Sequence, residues 1–209
     1  MSESMRSYVH GTSGHPLICE SVGNFFRQAA DAGGERVALV VPAQGVRWSW
    51  TELAQRVDAL AAGLLALGLQ RGDRLAIWAQ NRSEWVLTQF AAARAGLILV
   101  NINPAARKDE LERQLNVVGA RALVTQDSFK SSDYIAMLQE LLPELESCEP
   151  GRLRGAAVPA LELVIRLGEG GDRAAAIVRA NFAASCFAPE VVAAWMTVSA
   201  AAQGSAEAR

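Results

Sequence analysis

A doubly wound α/β fold with a mostly parallel sheet is the class that this 209-residue sequence predicts, on three observations. Short apolar runs bounded by glycine or aspartate turns alternate with longer amphipathic runs, the order that builds βαβ units. Several of the short runs are continuous in apolar residues, as strands covered on both faces are. With 51% hydrophobic residues the chain can bury a sizeable core.

The elements follow in order. "RVALVVPAQGVRWSW" gives an apolar run at Val37–Val41, a turn at Gln44-Gly45 and a second short strand, hence a hairpin. Leu53, Val57, Leu60, Leu64 and Leu67 recur at steps of four and three, one apolar face of a helix. Ser49 with Glu52 reads as its capping box, and Gly68 as its stop. Arg74–Ala79 follows the Gly72-Asp73 turn as a buried strand. Ser83 is the expected cap of a helix ending at Gly96. Leu97–Asn101 is expected to be a strand covered on both faces. Leu111, Leu115 and Val118 mark a helix closed by Gly119, and Ala122–Thr125 is another short strand. Ser131 or Ser132 is the expected start of a helix stopped by Pro143, and Leu161–Leu167 is the last strand. Residues 1–20 read as a lead-in, 21–168 as one domain and 169–209 as a divergent tail. From Ala174 onward 14 of 36 residues are alanine and 4 are charged, and the strand–helix alternation ends.

Composition narrows the partners. The formal charge is −2 and the basic residues are dispersed, so no nucleic-acid footprint is present. Cys19, Cys148 and Cys186 form no CxxC pair, and His10 and His15 sit apart from them, so no metal-ligand spacing exists. "MSESMRSYVHG" has no apolar signal core, and the longest uncharged run, Val191–Ala206, is too short and polar for a membrane span. A reducing, cytoplasmic location is the expectation.

One ordered series of residues carries a family likeness: Gly72-Asp73-Arg74, then Asn81, Glu84-Trp85 and Ala95-Gly96. It continues with Val100-Asn101-Ile102-Asn103-Pro104, Glu110-Leu111, Gly119-Ala120 and Val124. The series resembles the N-terminal part of the AMP-forming acyl-CoA synthetases, and the medium-chain branch is the nearest in pattern. Cys148, Pro150-Gly151 and Pro159–Ile165 extend the likeness, which runs from about Ser7 to Gly168. The resemblance implies an incomplete sheet, the front portion of the adenylate-forming N-terminal domain. It also implies a family reaction in which ATP and Mg²⁺ convert a fatty acid to an acyl-adenylate before transfer to coenzyme A. The family pattern has tyrosine where Ala106 stands and an aromatic residue at Arg113. Both departures remove aromatic surface and are expected to loosen that corner.

Such chemistry needs donors, a cation and a metal around a crowded phosphate. The family supplies them from a Ser/Thr/Gly-rich loop ending in Pro-Lys-Gly and from a C-terminal lysine. The present sequence has no such loop, and no lysine follows Lys130. "GTSGHP", residues 11–16, is no substitute, because no strand precedes it and neither a lysine nor a helix follows directly. Trp48, Trp50, Trp78 and Trp85 suit packing better than an acyl pocket. Arg107 and Lys108 suit a solvated helix start better than a coenzyme A phosphate site. Asp58, Asp73 and Glu84 are too irregularly spaced for a carboxylate pair. The three cysteines lack a basic neighbour to activate them. No catalytic, cofactor-binding or metal-binding residue is therefore assigned, and the fragment is expected to bind no cofactor. The leading expectation is a truncated fatty acid–CoA ligase, inactive alone, with a tail altered by a frameshift near Gly168. The alternatives are half of a split ligase docking to its remainder, or a non-catalytic, self-associating interaction module. A dinucleotide-binding domain is disfavoured because no GxGxxG opens a helix after a strand.

Overall fold

The computed structural model describes Gly14 and residues 17–148 and 152–167. Helix α1 spans Val22–Gly33, with the Ser21 hydroxyl accepting from the Asn24 amide as its cap. Strands β1 (Val37–Val41) and β2 (Val46–Ser49) pair antiparallel through a 3₁₀ turn, Pro42–Gln44, closed by Gly45 at φ 66°. Helix α2, Trp50–Ala66, opens with the expected capping box. The Ser49 amide donates to Glu52 Oε2 at 2.8 Å, and the Glu52 amide donates to Ser49 Oγ at 3.2 Å. Leu53, Val57, Leu60 and Leu64 are all buried, and each contributes about 1.5–3 kcal/mol by leaving water.

Then come β3 (Arg74–Trp78), α3 (Ser83–Ala95), β4 (Ile98–Asn101), α4 (Lys108–Val118) and β5 (Ala122–Thr125). A two-residue hairpin, β6 (Ser128–Phe129) with β7 (Ser132–Asp133), leads into α5 (Tyr134–Leu141). After a 3₁₀ turn at Pro143–Glu146 and a long loop, β8 (Leu163–Arg166) ends the described chain.

The main sheet has the order β4-β3-β5-β8, and every pairing in it is parallel. Strand residues alternate faces. Leu75, Ile77, Val124, Leu163 and Ile165 pack with α1, α2 and α3 in one core. Ala76, Trp78, Leu123 and Val164 pack with α4 and α5 in the other. The crossover through α3 thus lies on one face and the later crossovers through α4 and α5 on the other, the doubly wound arrangement expected. Where α1 crosses α3, a Cβ on Gly23 would lie 2.7 Å from the Ala93 carbonyl oxygen, so only glycine fits there.

Four expectations need correction. Leu97–Asn101 is not a strand covered on both faces. β4 is an edge strand, with Ile98 52% exposed and Asn101 exposed. Its apolar run reports hydrophobicity, whereas its place in the sheet depends on where distant strands pair. Ser83 is the first residue of α3 and not its cap. Arg82 holds the cap position, and a distant side chain serves the Ser83 amide, as described below. The helix expected from Ser131 or Ser132 begins at Tyr134, capped by the Asp133 carboxylate on the Ala136 amide. Nor is the corner at Ala106 loosened. Ala106 is 1% exposed in the second core, and the aromatic packing there comes from Trp78 and Tyr134.

Candidate functional site: the carboxyl edge of the sheet

In open α/β sheets, ligands bind beyond the carboxyl ends of the strands, where the strand order reverses. Here that point lies between β3 and β5, because β4 leaves β3 on one side and β5 returns on the other. The loops 79–82, 102–107 and 126–133 meet at this edge, as do the N-termini of α3, α4 and α5.

Loop 79–82 carries an ion pair. Arg82 Nε donates to Glu84 Oε2 at 2.7 Å and Arg82 Nη2 to Glu84 Oε1 at 2.8 Å, with side chains 14% and 13% exposed. Gln44, from the β1–β2 turn, completes the group. Its Nε2 donates to Glu84 Oε2 at 2.9 Å, and its Oε1 accepts from the Ser83 amide at 2.7 Å. The hairpin turn thus caps α3 from 39 residues away, a partner that local sequence spacing could not reveal. Burial alone would raise the Glu84 pKa, but hydrogen bonds from Arg82 and Gln44 outweigh it and hold the carboxyl below its usual range.

Gln126, buried at the end of β5, closes the switch point. Its Oε1 accepts from the Gln80 amide at 2.9 Å, and its Nε2 donates to the Ser128 carbonyl. Beside it, Arg166 Nη2 donates to Asp127 Oδ2 at 2.6 Å, tying β8 to β5. Beneath loop 102–107, Trp78 and Tyr134 stack at 3.6 Å with their rings 4° apart. Trp78 Nε1 donates to the Asn103 carbonyl at 3.1 Å and the Tyr134 hydroxyl donates to the Pro104 carbonyl. Burial pushes the Tyr134 phenol up to about 12.

The candidates named from sequence do not converge on this edge as a group. Trp48 is half-buried under the Arg56 guanidinium, 4.5 Å from its ring, and Trp50 packs against Gly33. Trp85 packs with the first core and Trp78 with the second, so these rings lie on opposite faces of the sheet. Asp58 bridges Arg27 and Arg94 across α1, α2 and α3, while Asp73 lies at the other edge of the sheet. Arg107 is exposed, and Lys108 pairs with Glu140. Cys19 is exposed and Cys148 half-buried. His10, His15 and Cys186 lie outside the described residues, as does all of "GTSGHP" except exposed Gly14. Gln44, Gln126 and Tyr134 were missed by sequence reasoning. Only Tyr134, an aromatic at the start of an apolar helix, gave any local signal.

Among the described residues no group of three or more His, Cys, Asp or Glu is placed to hold a metal ion. Of the acidic side chains at the edge, Glu84 and Asp127 are each engaged by an arginine, and Asp133 caps α5. These residues do not by themselves fit Mg²⁺ with ATP.

The layered sheet and its loop-built edge define a doubly wound α/β domain of the kind that opens the adenylate-forming enzymes. A long-chain-fatty-acid-CoA ligase of Archaeoglobus fulgidus shares the fold at TM-score 0.61 and 21% identity, over 82% of this chain and 32% of that one. A Rhodopseudomonas palustris protein described as a long-chain-fatty-acid CoA ligase aligns at TM-score 0.58 and 26% identity, over 72% and 33%. By sequence, residues 25–196 match the AMP-binding enzyme family, and the chain belongs to that family. The medium-chain acyl-CoA ligase ACSF2, mitochondrial, of Danio rerio is 45% identical over 159 residues, 76% of this chain. The chain spans about a quarter, 26%, of that relative's length.

Proposed function

We propose that this chain is the N-terminal segment of an AMP-forming medium-chain acyl-CoA ligase, serving as scaffold and not as an independent catalyst. The observation that carries the reading is the self-pairing of the carboxyl edge. Gln44 and Arg82 both bind Glu84, Arg166 binds Asp127, and Gln126 binds the Gln80 amide and the Ser128 carbonyl, which shapes a wall of a site and leaves the reacting groups to the remainder of the ligase. Fatty acid, ATP with Mg²⁺ and coenzyme A are the substrates and cofactors proposed for the complete enzyme. Acid-dependent ATP–pyrophosphate exchange tests this. The chain alone is expected to give none over background with fatty acids from short to long, and exchange by the chain alone would overturn the proposal.

A second reading, assembly with a separately made remainder, has one observation in its favour. β8 has both faces buried, with Ile165 at 1% on one and Val164 at 8% on the other, yet no strand flanks its outer side among the described residues. Coexpression with the remaining three-quarters of a ligase separates the readings, since only the second expects exchange to appear. The domain boundary at 168 and the frameshift origin of the tail belong to the first reading. The family match itself runs on to residue 196, and translating the DNA beyond codon 168 in all frames tests the frameshift. A cytoplasmic location is likewise a proposal, checked by fractionation of the native source.

A further inference from the structure

We propose that Tyr134 is the positioning residue of the β4–α4 loop, a latch that holds residues 102–107 down on the carboxyl edge. Five hydrogen bonds fasten residues 102–106, and the Arg107 carbonyl accepts from the Leu111 amide at 2.8 Å as α4 begins. The Ile102 amide donates to the Ile77 carbonyl at 2.9 Å, continuing the sheet. The Asn103 carbonyl accepts from both Trp78 Nε1 at 3.1 Å and the Ala106 amide at 2.9 Å, while Asn103 Oδ1 accepts from the Ala105 amide at 2.9 Å. The fifth is the Tyr134 hydroxyl on the Pro104 carbonyl. Only the Trp78 and Tyr134 contacts come from outside the loop through side chains, and these two rings are stacked face to face and fully buried. Tyr134 opens α5, and its own amide is fixed to the Asp127 carbonyl at 3.0 Å. One ring therefore joins the loop after β4 to the loop after β5. The loop ends at Arg107, exposed at the N-terminus of α4. Where the latch is closed, Arg107 keeps a fixed position at the edge. Where it opens, Pro104–Arg107 lifts while the buried rings stay in place. The proposal rests on the reading of the carboxyl edge as the working edge, but its test reads loop opening without any activity.

The test is native-state trypsin cleavage of the full chain, followed by mass spectrometry. Tyr134→Phe keeps the ring and the stack and removes the hydroxyl. Cleavage after Arg107 is expected to rise about five- to tenfold, the effect of losing one buried hydrogen bond from a local opening. Cleavage after Arg71, an exposed site in the turn before β3 at the opposite edge, is expected to keep its rate. An unchanged rate at Arg107 overturns the proposal, and so does an equal rise at both sites, which reports general loosening. A second measurement does not depend on that variant folding. Replacing both tyrosines, Tyr8 and Tyr134, with 3-fluorotyrosine gives a stronger donor of nearly the same shape. Cleavage after Arg107 then slows about twofold, and no slowing counts against the latch.

Discussion

The two ends of the parallel sheet carry similar polar residues put to different uses. At the amino edge, Arg121 donates to Gly68 O at 3.1 Å, Asp73 Oδ2 at 2.6 Å and Glu162 Oε2 at 3.0 Å. Arg74 donates to Val118 O at 3.0 Å and Gly119 O at 2.7 Å, the last carbonyls of α4. These arginines satisfy helix ends that would otherwise lack donors, and they tie the returns into β3, β5 and β8 together. At the carboxyl edge Arg82 holds Glu84 two residues on, Gln44 joins that carboxylate from the hairpin turn, and Arg166 pairs with Asp127 of another loop. One edge secures elements to each other, and the other sets the shape of a surface. The lesson is that an arginine–carboxylate pair acquires its role from where the chain brings it. Asp73 and Glu84 look alike in the sequence and both have lowered pKa values. Burial raises each. Asp73 is brought down by the Gln70 amide and Arg121, and Glu84 by Arg82 and Gln44.

The comparison can be broken most severely at Trp78. Trp78→Ala removes a fully buried ring from the carboxyl edge and is expected to cost about 3–5 kcal/mol by urea unfolding. A cost under 1 kcal/mol would mean the edge is not built on the aromatic stack. Arg121→Ala strikes the amino edge and leaves Asp73 and Glu162 without it. Because the side chain is 30% exposed, about 1–2 kcal/mol is expected, with the loop after β4 keeping its wild-type protease resistance. The third prediction concerns acid. The Glu84 carboxyl is held below its ordinary 4.5, so its contribution is complete above pH 4.5 and is lost as pH falls through the folded value. Glu84→Gln is expected to lower stability at pH 7 by about 1 kcal/mol and to flatten the acid limb of a pH–stability curve. An unaltered limb would assign the acid sensitivity elsewhere. The smallest effect is at Gln44→Ala, about 0.5–1 kcal/mol, from loss of a helix cap supplied at a distance. It is also expected to speed amide exchange at Ser83 more than at Gly68.

The fold was largely legible because its signals are local. The Leu53–Leu64 stripe, the Ser49–Glu52 box and the glycines at positive φ after α2, α3 and α4 each act within a turn or two. The edge character of β4 was illegible for the opposite reason. Nothing inside residues 97–101 says that β5 will pair on the far side of β3. The candidate edge was legible only as a place in the topology. Its contents, Gln44 on α3 and Tyr134 under Pro104, join residues 39 and 30 positions apart, and glutamine and tyrosine carry no spacing rule that announces such a partner. Arg82–Glu84 was within local reach, but alternation of charge two residues apart is common on any solvated helix start.

The order β4-β3-β5-β8 has a consequence for synthesis on the ribosome. After β3 and β4 pair, each later strand joins on the same growing side, β5 beside β3 and then β8 beside β5. No strand has to be threaded between two that are already bonded. At roughly 5–20 residues per second, the stretch from Arg74 to Arg166 emerges over about 5–20 s. The sheet can therefore be laid down in the sequence in which it is translated, with its most recent strand always at the open side.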